Sequence, residues 1–352
     1  MANERIIRIG ITCGDPAGIG PETIVKLGMD QRMLQESILI FYCPIEALHH
    51  VKKELHVEEP LLHQIQQANQ GQIGKLNVLS PKTKSGFIPG KPSKESASIA
   101  WWALESSRED LQKCHIDAVV TAPLSKGQIM QIQPGFQGHT EYYDQFFKEE
   151  GALMILCSER LRVALVTNHI PVQSISESLT KDAVFSAIKR VENSLKKDFS
   201  VIMPKIAVLG LNPHAGESGN IGKEEMEIIS PAISAAKSAG ILAFGPFSSD
   251  GFFGSGQCFQ FDAVLSMYHD QGLTGFKAIA QDEGINFTAG LSVVRTSPGH
   301  GTAYDLVGSL SAKENGLRNA IFMAVDVVKN RLNFEERNQN PLAITIGAKE
   351  TA

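Results

Sequence analysis

Three apolar runs in this 352-residue chain end in histidine: VALVTNH at His169, VLGLNPH at His214 and VLSMYH at His269. Short runs of this kind read as buried strands, and in open parallel sheets ligands bind at the carboxyl ends of strands. Three such strands would deliver three imidazoles to one edge. Three neutral imidazoles leave a position open on a Zn2+-like ion, which suits a Lewis-acid catalyst better than a closed structural site. Each histidine taken singly also fits a strand end satisfied by local hydrogen bonds, and pattern alone leaves both readings open. Asp270 directly follows His269, and Asp250 sits in the glycine-rich stretch GPFSSDGFFGSG after an apolar run at 241–244. Either carboxylate could act as general base or orient a metal-bound imidazole. Asp250 fits a turn aspartate bonded to backbone equally well.

Lys277, Asn286 and Arg295 follow at intervals of nine residues, through strand and turn material ending in RTSPGHGTA. An ammonium, an amide and a guanidinium fork together would hold a phosphorylated or carboxylated small molecule, although such a charged pair is also common on a solvated face. The stretch GDPAGIG at 14–20 joins a strand to a helix starting near Pro21 and Glu22. Its glycines allow close approach to a ligand and the helix start favours an anion. The spacing is nevertheless GxxxGxG and not the GxGxxG of a Rossmann loop. GNIGK at 219–223 is a poor P-loop, with Glu224 where Ser or Thr would hold Mg2+. Neither HExxH nor GxSxG occurs, so the common zinc-protease and nucleophile-elbow signatures are missing.

The elements that must position these groups alternate along the chain, as in an α/β protein with a largely parallel sheet. Strands are expected at 5–12, 37–43, 117–121, 161–167, 205–211 and 263–268, and helices at 93–114, 181–197, 222–240 and 312–330. The polar segment 64–94 reads as surface connection around one short strand at 76–79. His49, His50, His56 and His63 fall in a polar, helix-like region and read as ordinary surface residues. No repeat of solenoid length is visible. The length prior gives about two domains, and with no linker in view any division is made by the chain crossing between lobes.

Composition sets the class. Hydrophobic residues make up 43% and charged residues 20%, which permits an ordinary core. A formal charge of −5 argues against a nucleic-acid binder. The five cysteines are scattered, odd in number and never spaced CxxC, which excludes a disulfide scaffold and a zinc ribbon. The start MANERIIRIG has no apolar core of a secretory signal, and the longest apolar stretch, 152–157, is far too short to cross a bilayer. A cytoplasmic protein without membrane partners is expected.

GITCGDPAGIGPE, GHTEYYDQFF, TNHIPV, GLNPHAGESGNIGKEE, MYHDQG and RTSPGHGTA resemble, in that order, the motifs of the 4-hydroxythreonine-4-phosphate dehydrogenase family of pyridoxal 5′-phosphate biosynthesis, over about residues 5–331. The resemblance implies a two-lobed α/β/α subunit like isocitrate and isopropylmalate dehydrogenases, which bind NAD without a Rossmann loop. It implies a homodimer with its active site at the interface and the three metal-binding histidines drawn from both subunits. Position by position, His169, His214 and His269 match the ligands of one divalent ion (Zn2+, Mg2+ or Co2+). His139 and Thr140, which the residues alone would make a loop and a helix N-cap, match substrate contacts, as do Lys277, Asn286 and Arg295. The lobes expected are 1–130 with about 271–352, and about 131–270. The implied reaction is oxidation of 4-phosphooxy-L-threonine at C3 by NAD, or NADP, then decarboxylation to 3-amino-2-oxopropyl phosphate, with Asp270 or Asp250 taking the proton. Residues binding the dinucleotide are not assigned. Relatives oxidising 4-phospho-D-threonate or D-erythronate offer an alternative substrate, and a metal-dependent hydrolase with three histidine ligands an alternative chemistry. Two positions depart from the family pattern: Gly299, where an acidic residue is frequent, and the SSDGFF loop around Asp250.

Overall fold

The computed structural model describes residues 5–82 and 86–339; the ends of the first-lobe expectation, 1–4 and 340–352, lie outside them. Twelve strands form one sheet among the described residues: β1 (Arg8–Thr12), β2 (Ile38–Tyr42), β3 (Leu62–Ile65), β4 (Leu76–Leu79), β5 (Ala118–Thr121), β6 (Lys148–Cys157), β7 (Arg162–Leu165), β8 (Lys205–Leu209), β9 (Leu242–Phe247), β10 (Ala263–Ser266), β11 (Ile285–Leu291) and β12 (Val294–Pro298). Their lateral order is β3-β4-β2-β1-β5-β12-β11-β6-β7-β10-β8-β9. Neighbours on both sides of the sheet run parallel, whereas β12/β11, β11/β6 and β6/β7 are antiparallel. The two parallel blocks therefore point in opposite directions, joined by a central antiparallel strip. Strands β6 to β10, from within 131–270, lie together at one end, next to β11 from the later chain.

The parallel strands β1, β2, β5, β8 and β10 are almost wholly buried, which explains why they read as continuous apolar runs: helices cover both faces. On one face a single core runs the length of the sheet, from Ile9 and Ile11 to Ile206 and Val208. It is closed by the helices Gly20–Met29, Lys181–Lys197, Ser230–Ser238 and Asn315–Gln339. Local chemistry starts Lys181–Lys197 where expected, since Thr180 accepts the Ala183 N–H at 3.1 Å as an N-cap.

The opposite face is different, because its core is split in two. One cluster joins Ile40, Tyr42 and Val119 to the helices Lys94–Gln112 and His139–Phe147. The other joins Val163, Leu165 and Val264 to the helix His269–Ala280. The gap between these clusters, over the antiparallel strip, is the cleft that positions the site.

Three sequence expectations change. His63 lies on β3, a strand and not a helix, and its Nδ1 is 2.8 Å from Asn77 Oδ1. The helix expected at 222–240 opens as a π turn, Glu225–Ile229, before Ser230–Ser238. Strands β6, β11 and β12 add the antiparallel centre. No helix among the described residues is long and apolar enough to cross a membrane.

Candidate active site

The cleft is a cavity of about 780 Å3. Strand alternation builds its floor. Asn286 pairs with Ser297 and Leu156, and Thr288 with Met154, so one pleat face carries Asn286, Thr288, Ser297 and Arg295 side by side. Arg295 is only 2% exposed. Its Nε and Nη2 donate to Thr121 Oγ1 at 3.0 and 2.6 Å, and its Nη1 donates to Thr288 Oγ1 at 3.0 Å. No ion pair neutralises it among the described residues, and burial draws its pKa down to about 10 despite the opposing pull of Tyr143 and Glu141. Asn286 Oδ1 is buried without any hydrogen-bond partner. An unpaired buried guanidinium beside an unpaired buried acceptor is what a polar, anionic ligand would satisfy.

The wall on the β5 side carries His139 and Thr140, the first residues of the helix His139–Phe147. Its N-cap is Gly138 (φ 155°), with no side-chain cap. Thr140 is thus inside the helix, not its cap as its residue type suggests, and the first N–H groups have no intrahelical partner. Tyr142, Tyr143 and Phe147 anchor this helix in the core behind it. Burial, then the charges of Arg295 and Lys126, hold His139 well below the usual histidine range, so it is neutral. Lys126, the first residue of the helix Lys126–Ile132, also lines the cleft. A Cβ on Gly138 would stand 3.3 Å from Lys126 Nζ and 2.7 Å from Glu141 Oε2. Sequence reasoning missed Lys126 and Glu141; the available signal was APLSKG, a buried strand ending directly in a helix start. From the other wall, Lys277 reaches the cleft in the last turn of His269–Ala280.

His169, after β7, and His269, after β10, meet in this cleft with ring centroids 5.5 Å apart. Burial lowers the His169 pKa, with Lys126 and His269 adding to the effect. Asp270 Oδ1 lies 2.7 Å from His269 Nδ1. That contact leaves Nε2 as the free ligand atom, the usual role of a carboxylate behind a metal-binding histidine. His214 does not line the cleft; it is exposed in a turn after β8, and that turn contacts the helix Ser249–Gly254 that carries Asp250. Asp250 is itself exposed and accepts a hydrogen bond from Ser248 Oγ at 2.7 Å. No three His, Cys, Asp or Glu side chains gather as a metal site among the described residues. Two of the three expected imidazoles converge in one chain, and the third does not. As a donor set, two adjacent imidazoles could supply half of a four-coordinate shell for a divalent ion.

The other half of the cleft is bounded by Ile19, Gly299, His300, Ala303, Leu306, Ala312, Asn315 and Gly316. The GDPAGIG glycines serve packing here instead of ligand approach. A Cβ on Gly14, Gly18 or Gly20 would fall 2.0, 2.6 or 2.0 Å from the carbonyl oxygens of Pro123, Thr302 and Cys13. Asp15 bolts this loop in place, accepting from Ala17 N, Ser96 Oγ and, at 2.7 Å, Tyr304 Oη. Gly299 is accounted for similarly, since its Cβ would lie 2.6 Å from Gly284 O.

The pyridoxal phosphate biosynthetic protein PdxA family model matches residues 23–324. The 4-hydroxythreonine-4-phosphate dehydrogenase of Bacteroides thetaiotaomicron is 43% identical over 343 residues, 96% of this chain and 93% of that protein. The crystal structure of 4-hydroxythreonine-4-phosphate dehydrogenase from Klebsiella pneumoniae is similar with a TM-score of 0.79 and 29% identity, covering 93% of this chain and 99% of that one. Isocitrate dehydrogenase from Methylococcus capsulatus, 12% identical over 94% of this chain and 88% of its own, shares the fold with a TM-score of 0.50. The architecture is thus the α/β fold of isocitrate dehydrogenase, not a Rossmann fold, and the chain belongs to the PdxA family of dehydrogenases of pyridoxal phosphate biosynthesis.

Proposed function

We propose that this chain oxidises 4-phosphooxy-L-threonine at C3 with NAD or NADP, and that the resulting β-keto acid loses CO2 to give 3-amino-2-oxopropyl phosphate. The observation that carries the reading is Arg295, buried in the cleft floor with only threonine hydroxyls for hydrogen-bond partners among the described residues. A charge so placed is offset by an anionic ligand. Lys126 and Lys277 add ammonium groups from the two walls, so the phosphate and the carboxylate of one small molecule both find cations. Asn286 Oδ1 offers an acceptor to an amine or hydroxyl. Neutral His139 and Thr140 orient the molecule from the helix start.

When bound, a divalent ion (Zn2+, Mg2+ or Co2+) supplies Lewis-acid polarisation and the nicotinamide accepts hydride. His169 and His269 would hold the ion, with His214 provided by the second copy in a homodimer. That division accounts for a histidine pair in the cleft and a third histidine outside it. Asp270 orients His269 through Nδ1. Asp250 lies on the short helix Ser249–Gly254, which contacts the turn that carries His214, so a copy that brings His214 to the pair brings a carboxylate able to take the C3 hydroxyl proton. Four buried thiols and an exposed Cys114, all free, fit work in a reducing cytoplasm.

The test offers 4-phosphooxy-L-threonine and 4-phospho-D-erythronate in parallel with NAD and a divalent ion, following NADH and CO2. The reading expects preference for the amino compound, equal yields of NADH and CO2, and loss of both with chelator. Preference for the erythronate would contradict the substrate assignment, and turnover without NAD would point to hydrolysis.

A further inference from the structure

We infer that Glu225 is a positioning residue for His214, its buried carboxylate fixing the left-handed turn that carries this histidine. The inference rests on the metal reading of His214 proposed above and adds what holds that ligand in place.

Five consecutive residues, His214, Ala215, Gly216, Glu217 and Ser218, have left-handed backbones, with φ of 52°, 50°, 79°, 43° and 58°. Only one is glycine. For the others Cβ crowds the following carbonyl, so single left-handed residues are tolerated but runs are not. Such a run persists where its surroundings impose it, and it tends to mark a functional position. The imposing group here is Glu225. Its Oε1 accepts the backbone N–H of Leu211 and of Asn212, both at 2.7 Å, on the approach to the turn. Its Oε2 accepts from Asn212 Nδ2 at 3.0 Å and would lie 2.5 Å from a Cβ on Gly216. Glu224 completes the clamp: its Oε2 accepts from the same Asn212 amide at 2.8 Å and its Oε1 from Ser176 Oγ at 2.6 Å.

Glu225 is 3% exposed and has no cationic partner among the described residues. A carboxylate buried with N–H donors alone is a weak device for stability but a strict one for conformation. It opens the π turn Glu225–Ile229, whose last residue is fully buried. The clamp is therefore anchored in the main core, while the turn it holds is exposed. Local strain at His214 and a rigid support at Glu225 together set where the imidazole stands.

The experiment measures cobalt(II) binding to the full chain in its native oligomeric state, by equilibrium dialysis and by visible absorption, for wild type, Glu225→Gln and His214→Ala. In Glu225→Gln the new amide hydrogens face the Asn212 amide hydrogens, so the clamp opens without a change of volume. Cobalt affinity is expected to fall roughly 10–100-fold, the usual penalty for losing a ligand's support, with an altered visible band and a nearly unchanged melting midpoint. Unchanged cobalt affinity with a lowered midpoint would make Glu225 a structural acid and overturn the inference. Should Glu225→Gln fail to fold, Asn212→Ala, which removes the side-chain link to both carboxylates and leaves Glu225 only its two backbone donors, carries the same expectation in direction and is overturned by the same result. His214→Ala separates the two levels. If it binds cobalt like wild type, the metal reading itself fails; if it binds weakly while Glu225→Gln is normal, only the positioning role fails.

Discussion

At Arg295 all three guanidinium nitrogens donate to Thr121 and Thr288, while its charge has no ion-pair partner among the described residues. Replacing it with Met keeps the length and removes the charge. Binding of the phosphorylated substrate should weaken by about 2 kcal/mol or more, and the melting midpoint should not fall, because an unpaired buried charge has gone. Calorimetric titration and thermal melts separate the two effects; equal losses in both would make Arg295 structural. His139 yields a pH prediction. Burial holds its folded pKa below the ordinary 6.5, so in that range the unfolded chain binds the extra proton. The stabilisation is full above the unfolded value and is lost as pH falls from it toward the folded one. Denaturant midpoints should drop between about pH 7 and about pH 5.5, above the carboxylate range, and His139→Gln should flatten that slope. Arg295 and His139 stand in legible motifs, whereas Lys126 carries only the weaker signal of its place between a buried strand and a helix start, which a solvated lysine would share.

Among the elements, the helix Lys181–Lys197 begins and ends where its pattern says, because capping and an apolar stripe are both local. β6 and β11 escaped for opposite reasons. The first residues of β6, Lys148, Glu149 and Glu150, are exposed, so half of that strand has no apolar signal. β11 turns Asn286 toward the cleft and buries Thr288 against Arg295; polar residues on that face leave only the alternation of Ile285, Phe287, Ala289 and Leu291 instead of the continuous apolar run that marks the parallel strands. On the uninterrupted face, Asp198 ties three elements together. It accepts from Arg331 Nε at 2.7 Å and Ser194 Oγ at 2.7 Å, while Arg331 Nη1 reaches Leu291 O at 3.0 Å. Asp198→Ala leaves Arg331 buried and unpaired, and should cost about 3–5 kcal/mol by denaturant titration. The KM should stay unchanged, since the pair lies across the sheet from the cleft. A change in KM with intact stability would contradict this separation.

For the whole molecule, the α/β class follows from alternating elements, and the isocitrate dehydrogenase-like arrangement from the motifs. The division of one face into two clusters has no sequence marker, because the same sheet runs through both and no linker separates them. That division makes the cleft, and within one chain the cleft gathers Lys126, Lys277 and Arg295 with two of the three expected ligand histidines, His169 and His269. The central claim is that a second copy completes a dehydrogenase site. Variants His169→Ala and His214→Ala, each inactive alone, are unfolded together, refolded as a mixture and assayed for NADH formation from 4-phosphooxy-L-threonine. If each site draws on both chains, mixed dimers carry one site with every histidine intact, and the mixture should recover roughly one quarter of wild-type activity. A mixture no more active than its separate components would contradict the shared site.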